Sequence, residues 1–477
     1  MIKKFWSICT ILILLLSCST KERKGDSVIL GFDRLNALKG AIISGYVVDM
    51  NTGNVIASEN ADIRMTPASL SKIFTTSAAL SILGPDFRFK TTVAGTGSVV
   101  NGRLNGDLMI IGGGDPTLGS KYFSSTHPGK VMEEILKTVR KAGISSVSGK
   151  LLIVPDFFDP PAYPSLRLWE DMSNYYGAPP SGLTFMDNTF RIALSSPAAI
   201  GEKCTIVNID PDVGIEPDCR VLSSASDKDS AYIYGFPGLK EWYIDGSIPA
   251  GRSRFVIKGA MPFPEKIFGQ MLFRYLKKNG IRIRSLAFER SGQTGRYDTI
   301  GILYSPLLSD VVKEVNKKSI NLFADHLFLT MAKQSGRGDW DNARKVIDGF
   351  WEKQIGVNDI YLHDGSGLSP YNHCTPEDMV RVLMYDAKSK ISKEFMASLS
   401  VSGIDGTLKR VWNSAETKGK VIGKSGYMKG VLGYAGYITT KKNKRFAFCI
   451  IVNRFTEPVK EVRALIEKEI ERIITHN

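Results

Sequence analysis

The stretch MTPASLSKIFTTSAAL, residues 65–80, decides how the rest of this chain is read. Ser69 comes two residues after Pro67, and Lys72 comes three residues later. Leu70, Ile73, Phe74, Ser77, Leu80 and Ile82 then recur at helical spacing until Gly84-Pro85 stops the pattern. Positions i and i+3 share a helix face, so the Lys72 amine can reach the Ser69 hydroxyl. Serine alone is a poor nucleophile. An adjacent base, or a lysine whose pKa is lowered by burial, activates it. The helix N-terminus adds backbone donors and a positive dipole end where an oxyanion would form. The plain alternative is an N-cap serine with a solvent-facing lysine. Against it, Ser69 is the only serine in the chain with lysine at +3, and Lys72 sits among apolar residues.

Two further strings point to the same chemistry. In VNKKSINLFADHL, Ser319-Ile320-Asn321 opens a second helical pattern. Its hydroxyl can relay a proton to a leaving amine, and its amide can hold Lys72 and a substrate amide. Ser-x-Asn occurs once more, at Ser58-Glu59-Asn60, at a strand end. In GKSGYMKG, Lys424-Ser425-Gly426 sets a cation and a hydroxyl side by side on a strand, which suits a carboxylate. The glycine lets substrate approach the backbone, and the Tyr427 N–H can pair with the Ser69 N–H as an oxyanion hole. The Lys-Ser/Thr-Gly string occurs once.

Outward from these strings, GAIISGYVVDMNTGNVIAS (40–58) reads as two strands around an Asn-Thr-Gly turn. From 86 to 262, short β-like runs alternate with Gly, Pro, Asn and Asp clusters, which predicts an inserted β-rich region of one or two subdomains. Helical patterns return in PEKIFGQMLFRYLKKNG, NLFADHLFLTMAKQSG and DNARKVIDGFWEKQIG. YAGYITT and FAFCIIVN flank KKNKR as a hairpin, and EPVKEVRALIEKEIERII closes the chain as an amphipathic helix. The two ends, 27–85 and 263–477, are expected to form one mixed α/β domain.

The chain has 477 residues, 43% of them hydrophobic, enough for two or three domains. Residues 1–17 read as a signal peptide: MIKK is basic, FWSICTILILLL is too short for a convincing transmembrane helix, and Leu15-Leu16-Ser17-Cys18 resembles a bacterial lipobox that would lipidate Cys18. An ordinary secretory signal is the alternative. The net charge of +14 suits anionic envelope polymers or a lipid surface, or is generic solubility charge. Nucleic acid is not an expected partner of an exported chain. The cysteines form no CxxC pair and the five histidines no HExxH pattern, so no metal site is expected. Cys204 and Cys219 are close enough in sequence to bridge in an oxidising compartment.

Two tempting motifs read otherwise. GGGDP (112–116) lacks a following Lys-Ser/Thr and carries Pro116 where a phosphate loop needs a donor, so it reads as a turn. His363, Asp364 and Ser366 suggest a Ser-His-Asp triad, but no G-x-S-x-G elbow exists.

The set S-x-x-K, S-x-N and K-S-G resembles that of penicillin-binding proteins and class A β-lactamases. With GDLMIIGGGDPTL (106–118), WEDMSNYYGAPPSGL (169–183) and HDGSGLSPYN (363–372), nearly the whole mature chain resembles the D-alanyl-D-alanine carboxypeptidase/endopeptidases of the class C low-molecular-mass penicillin-binding proteins, the DacB-like serine peptidases. The 250 residues between Ser69 and Ser319 fit the class with a large insertion. Ser425 replaces the usual threonine and keeps its hydroxyl.

The resemblance implies an α+β penicillin-recognising serine transferase domain, an antiparallel sheet with helices on its faces. It implies that Lys72 takes the Ser69 proton and that Ser69 attacks the penultimate D-alanine carbonyl. The Ser69 and Tyr427 N–H groups would hold the oxyanion. Ser319 and Asn321 would serve proton transfer and positioning, and Lys424, Ser425 and Gly426 the terminal carboxylate. Asp171 would bind the free amine of the peptide side chain; an ordinary loop aspartate is the alternative. Peptidoglycan stem peptides would be substrates, β-lactams covalent inhibitors, the cell envelope or periplasm the location with a lipid anchor the only membrane attachment, and no cofactor is implied. The rivals are a β-lactamase, a D-amino esterase or amidase on the same scaffold, and a relic wall-binding lipoprotein.

Overall fold

The computed structural model describes residues 31–289 and 296–477. The signal-like segment 1–17 and Cys18 lie outside the described residues.

The expected N-terminal hairpin forms as Ile42–Asp49 and Val55–Glu59. Asp49 Oδ1 accepts the Asn51 and Thr52 N–H groups at 2.8 and 3.1 Å, which folds the chain back on itself. Along its other edge Ile42–Asp49 pairs with Arg445–Asn453, Ile42 opposite Asn453 and Asp49 opposite Phe446. The two ends of the chain therefore share one six-stranded antiparallel sheet. Its spatial order is Ser400–Val401, Val421–Met428, Val431–Thr439, Arg445–Asn453, Ile42–Asp49, Val55–Glu59.

The central strands VLGYAGYIT and RFAFCIIVN are apolar on both faces because both faces are covered. Phe446, Phe448, Ile450 and Val452 pack under the C-terminal helix Val459–His476 with its Val462, Ile466, Ile470 and Ile473. Ala447, Cys449 and Ile451 face the helices Ser71–Leu83, Leu308–Lys318, Asn321–Gln334, Trp340–Ile355 and Pro376–Asp386. Ser71–Leu83 runs through the middle of this layer. Every residue from Ser71 to Leu80 is buried, which is why the segment carries no polar face.

The inserted region differs from the sequence expectation in two respects. Its main sheet has seven strands and is mixed, not confined to 86–262. Lys90–Gly95, Leu108–Ile111 and Ser146–Val154 are joined by Arg282–Phe288, parallel to Ser146–Val154, and by Asp298–Tyr304, antiparallel to Lys90–Gly95. The boundary expected at 262 thus cuts through this unit. The helix Pro264–Lys278 belongs to it as well, burying Phe268, Leu272 and Leu276 against Ile153 and Ile283. The region is also less β-rich than expected, since Pro128–Lys141 is a helix that buries Val131, Met132, Ile135, Leu136 and Val139 on the same core.

A smaller β unit (189–260) has its own core, including Phe190, Ile192, Ile233, Trp242 and Ile244. Cys204 and Cys219 both join that core, and both are free thiols.

Candidate active site

The turn Ala68–Leu70 leads directly into the helix Ser71–Leu83, with Ala68 at φ +47°. A non-glycine residue keeps that conformation only where its surroundings hold it. They do so here from two sides. A Cβ on Gly426 would lie 2.5 Å from the Pro67 carbonyl oxygen, and one on Gly367 would lie 1.9 Å from the Ala68 carbonyl oxygen. The strand Val421–Met428 and the loop 363–372 thus clamp the turn, and glycine at both positions permits the approach.

Within this clamp Lys72 Nζ lies 3.0 Å from Ser69 Oγ and 2.7 Å from Asn321 Oδ1, and it also donates to the Ser366 carbonyl. The amine has no solvent exposure. Burial pulls its pKa down to about 7, against the opposing pull of Asp325 and Asp364, while the Arg167 charge adds to the lowering. As a neutral amine it can donate to Asn321 and Ser366 and accept the Ser69 hydroxyl proton. Asn321 is held in turn by its Nδ2–H donated to the Tyr176 carbonyl at 2.8 Å.

Ser319 ends the helix Leu308–Lys318 in the left-handed conformation, φ 57° and ψ 43°. That turn presents its hydroxyl to Lys424, whose Nζ donates to Ser319 Oγ at 2.9 Å and to the Ser425 carbonyl at 2.7 Å. Lys424 is also fully buried, and burial followed by repulsion from Lys72 holds its pKa well below the usual lysine range.

Ser69, Ser319 and Ser425 are half-buried at the rim, and Tyr427 is 59% exposed. The outer edge of Val421–Met428 is paired with Ser400–Val401 only at Ile422 and Gly423. Among the described strands, nothing covers that edge from Lys424 onward, so an extended chain can lie along it.

Asp171 sits on the short helix Trp169–Met172 and is buried. Burial raises its pKa, and its carboxylate is hydrogen-bonded to the Tyr176 side chain. It is thus joined through Tyr176 to Asn321.

The triad reading of His363, Asp364 and Ser366 does not hold. Asp364 accepts the N–H groups of Gly367 (2.7 Å), Leu368 (3.2 Å) and Ser369 (2.8 Å), the Asn372 amide and the Arg167 guanidinium, and no hydrogen bond joins it to His363. The His363 ring packs against Tyr361 instead. GGGDP is an irregular segment that follows the strand Leu108–Ile111 and enters a turn only at Pro116, and it docks on a neighbouring helix: the Gly114 carbonyl meets His326 Nδ1 at 2.9 Å. Burial lowers the His326 pKa to about 3, so its ring is neutral.

Sequence reading missed Arg167, Asp325 and the Ser366 carbonyl. Asp325 lies four residues after Asn321, one helical turn along the same face, and that spacing was the available signal. Nothing local marks Arg167.

A family model described as "D-Ala-D-Ala carboxypeptidase 3 (S13) family" matches residues 32–473. The chain is 26% identical over 427 residues to the D-alanyl-D-alanine carboxypeptidase DacB of Haemophilus influenzae, covering 88% of this chain and 86% of that one. It is 28% identical over 451 residues to the D-alanyl-D-alanine carboxypeptidase of an Actinomadura species, covering 88% and 79%. The crystal structure of penicillin binding protein 4 (dacB) from Haemophilus influenzae superposes with a TM-score of 0.82 at 24% identity, over 94% of this chain and 100% of that one.

Proposed function

The chain belongs to the D-Ala-D-Ala carboxypeptidase 3 (S13) family, and on that premise we propose that Ser69 is the acylated nucleophile of a penicillin-sensitive serine D-alanyl-D-alanine carboxypeptidase. The observation that carries this reading is the buried Lys72 amine, 3.0 Å from Ser69 Oγ and with its pKa lowered to about 7. A base poised near the working pH takes a hydroxyl proton with least loss.

In this mechanism the Ser69 proton passes to Lys72 as Oγ attacks the carbonyl carbon of the penultimate D-alanine. The Ser69 and Tyr427 N–H groups take the oxyanion, a reading supported by the close packing of Gly426 on Pro67–Leu70. Ser319, in contact with Lys424, passes a proton to the leaving amine. Lys424 and Ser425 hold the terminal carboxylate beside the uncovered strand edge. Water then hydrolyses the ester and frees Ser69. Where the same D-alanine carbonyl is instead joined to the side-chain amine of a diamino acid in a second stem peptide, that peptide leaves as the free amine in place of D-alanine, which makes the enzyme an endopeptidase as well. Asp171 binds the side-chain amine of the stem peptide. Cys18 carries a lipid anchor that keeps the enzyme at an envelope membrane.

Fluorescent penicillin labelling of the soluble domain, wild type beside Ser69→Ala, tests the core of this reading. A stable adduct mapped to Ser69 by mass spectrometry and absent from the variant is expected. A folded wild type that takes no label, or a variant that labels equally, overturns it. Repeated turnover of a chromogenic cephalosporin by each site would point instead to a β-lactamase.

A further inference from the structure

Behind Lys72 lies a charged cluster that the reaction above does not use. The Arg167 guanidinium is 1% exposed and donates through one nitrogen to Asp325 Oδ2 and Asp364 Oδ2, at 3.1 Å each. Both carboxylates are equally buried. The three groups come from three segments. Asp325 stands on the helix Asn321–Gln334, one turn from Asn321. Asp364 anchors the loop that offers the Ser366 carbonyl to Lys72. Arg167 comes from the inserted region, on a loop tied down where the Ser369 hydroxyl donates to the Leu166 carbonyl at 3.1 Å.

We propose that Arg167 is a positioning residue for the Ser69–Lys72 pair: by neutralising Asp325 and Asp364 it keeps the neighbouring Lys72 as a neutral amine, so the inserted region is part of the catalytic apparatus. The inference rests on the reading of Lys72 as the base for Ser69.

The electrostatics can be followed group by group. Lys72 faces the Ser69 hydroxyl from its own turn, Asn321 and Asp325 from the next helix, Asp364 and the Ser366 carbonyl from the loop, Arg167 from the insertion, and Lys424 from the strand. The two carboxylates favour its ammonium form, and the two cations oppose it. Burial lifts the Asp325 carboxyl to about 6, with Arg167 pulling against that rise. Burial also pushes Asp364 up, but Arg167, Asn372 and the Ser369 and Gly367 N–H groups together bring it below its ordinary range. Arg167 in turn faces Asp171 and Tyr163 besides its two partners. Without Arg167 both carboxyl groups lose their cation, and Asp364, still held by Asn372 and the Gly367, Leu368 and Ser369 N–H groups, stands charged behind the amine. Lys72 then holds its proton to higher pH, and a protonated Lys72 cannot accept one from Ser69.

The test is the pH profile of penicillin acylation in the full soluble enzyme. Arg167→Gln should move the acid limb up by about one pH unit or more, as loss of a nearby compensating charge does. Asp325→Asn should move it down, because a charge that favours the ammonium is gone. The double variant should return towards wild type, and Arg167→Lys should lie closer to wild type than Arg167→Gln. A merely structural role would lower the rate at every pH and leave the limb in place. If Arg167→Gln folds and its limb stays within about 0.2 unit of wild type, the inference falls while the Ser69 reading stands. If Arg167→Gln does not fold, Asp325→Asn decides alone, since Arg167 then keeps Asp364 as a partner; an unmoved or raised limb overturns the inference. A wild type that forms no Ser69 adduct removes the underlying reading instead.

Discussion

The surroundings of Lys72 and of Lys424 make an instructive pair. Both amines are fully buried, and each lies against a serine hydroxyl, at 3.0 and 2.9 Å. Their electrostatics differ. Asp325 and Asp364 stand behind Lys72, so burial lowers its pKa only to about 7. Lys424 has no carboxylate acting on it among the described residues, and burial with repulsion from Lys72 holds it well below the usual lysine range. A buried amine without an anion is costly to ionise until an anion arrives. The same residue type is thus tuned twice. Near Lys72 the protein supplies the counter-charge, and the amine is left poised near neutrality, as the proposed base must be. Near Lys424, on the proposed mechanism, that charge is left to the terminal carboxylate of the substrate.

The largest effect should come from the first region. Lys72→Met should cut penicillin acylation by about 10³-fold while leaving the fold intact, as loss of a general base does; stopped-flow acylation measures it. Lys424→Met should lower kcat/KM for a D-alanyl-D-alanine peptide by about 10²-fold, the scale of a lost charge-assisted hydrogen bond. An amidated peptide, which lacks the carboxylate, should already suffer this loss with the wild type and lose little more with the variant. Equal further loss would mean that Lys424 acts on the chemistry and not on the carboxylate, and the contrast between the lysines would collapse.

Gly426→Ala places a methyl group 2.5 Å from the Pro67 carbonyl oxygen, so the strand must move off the Ala68–Leu70 turn. A misplacement of this kind should cost about tenfold to 10²-fold in acylation with little change in Tm. The wild-type pH profile is the next test. Lys72 must be neutral to act, so acylation should rise with pH through about 7, the value to which burial brings that amine, and flatten above it. A flat profile between pH 5 and 8 would deny it the role of base. The smallest effect lies far from both lysines: Ile450→Val, in the core under the C-terminal helix, should cost about 1 kcal/mol of stability and leave the acylation rate unchanged.

Much of the architecture was legible because its signals are local. Helical spacing placed Ser71–Leu83, Asn321–Gln334 and Trp340–Ile355, and the Asn-Thr-Gly turn placed the first hairpin. The helix Pro128–Lys141 carries the same kind of local signal in Val131, Met132, Ile135, Leu136 and Val139, though its neighbours in sequence are β-like. The extent of the inserted sheet was not readable in the same way. Arg282–Phe288 and Asp298–Tyr304 find partners more than 100 residues earlier, and no period within a strand reports which distant strand it will meet. Arg167 is one of 62 basic residues, and its neighbours in sequence carry no sign that it will be buried.

By itself, the sequence determined that a serine and a lysine share a helix face, that Ser-x-Asn opens another helix, and that Lys-Ser-Gly lies on a strand. These are consequences of covalent spacing and of the 3.6- and 2-residue periods, which hold wherever the segments end up. Only the tertiary structure decided that Lys72 meets Asn321 across 249 residues of chain. It alone put two carboxylates and an arginine behind one lysine and none behind the other. The reason is physical. A side chain's pKa depends on every charge and every water molecule within several ångströms, and folding, not sequence proximity, chooses those neighbours.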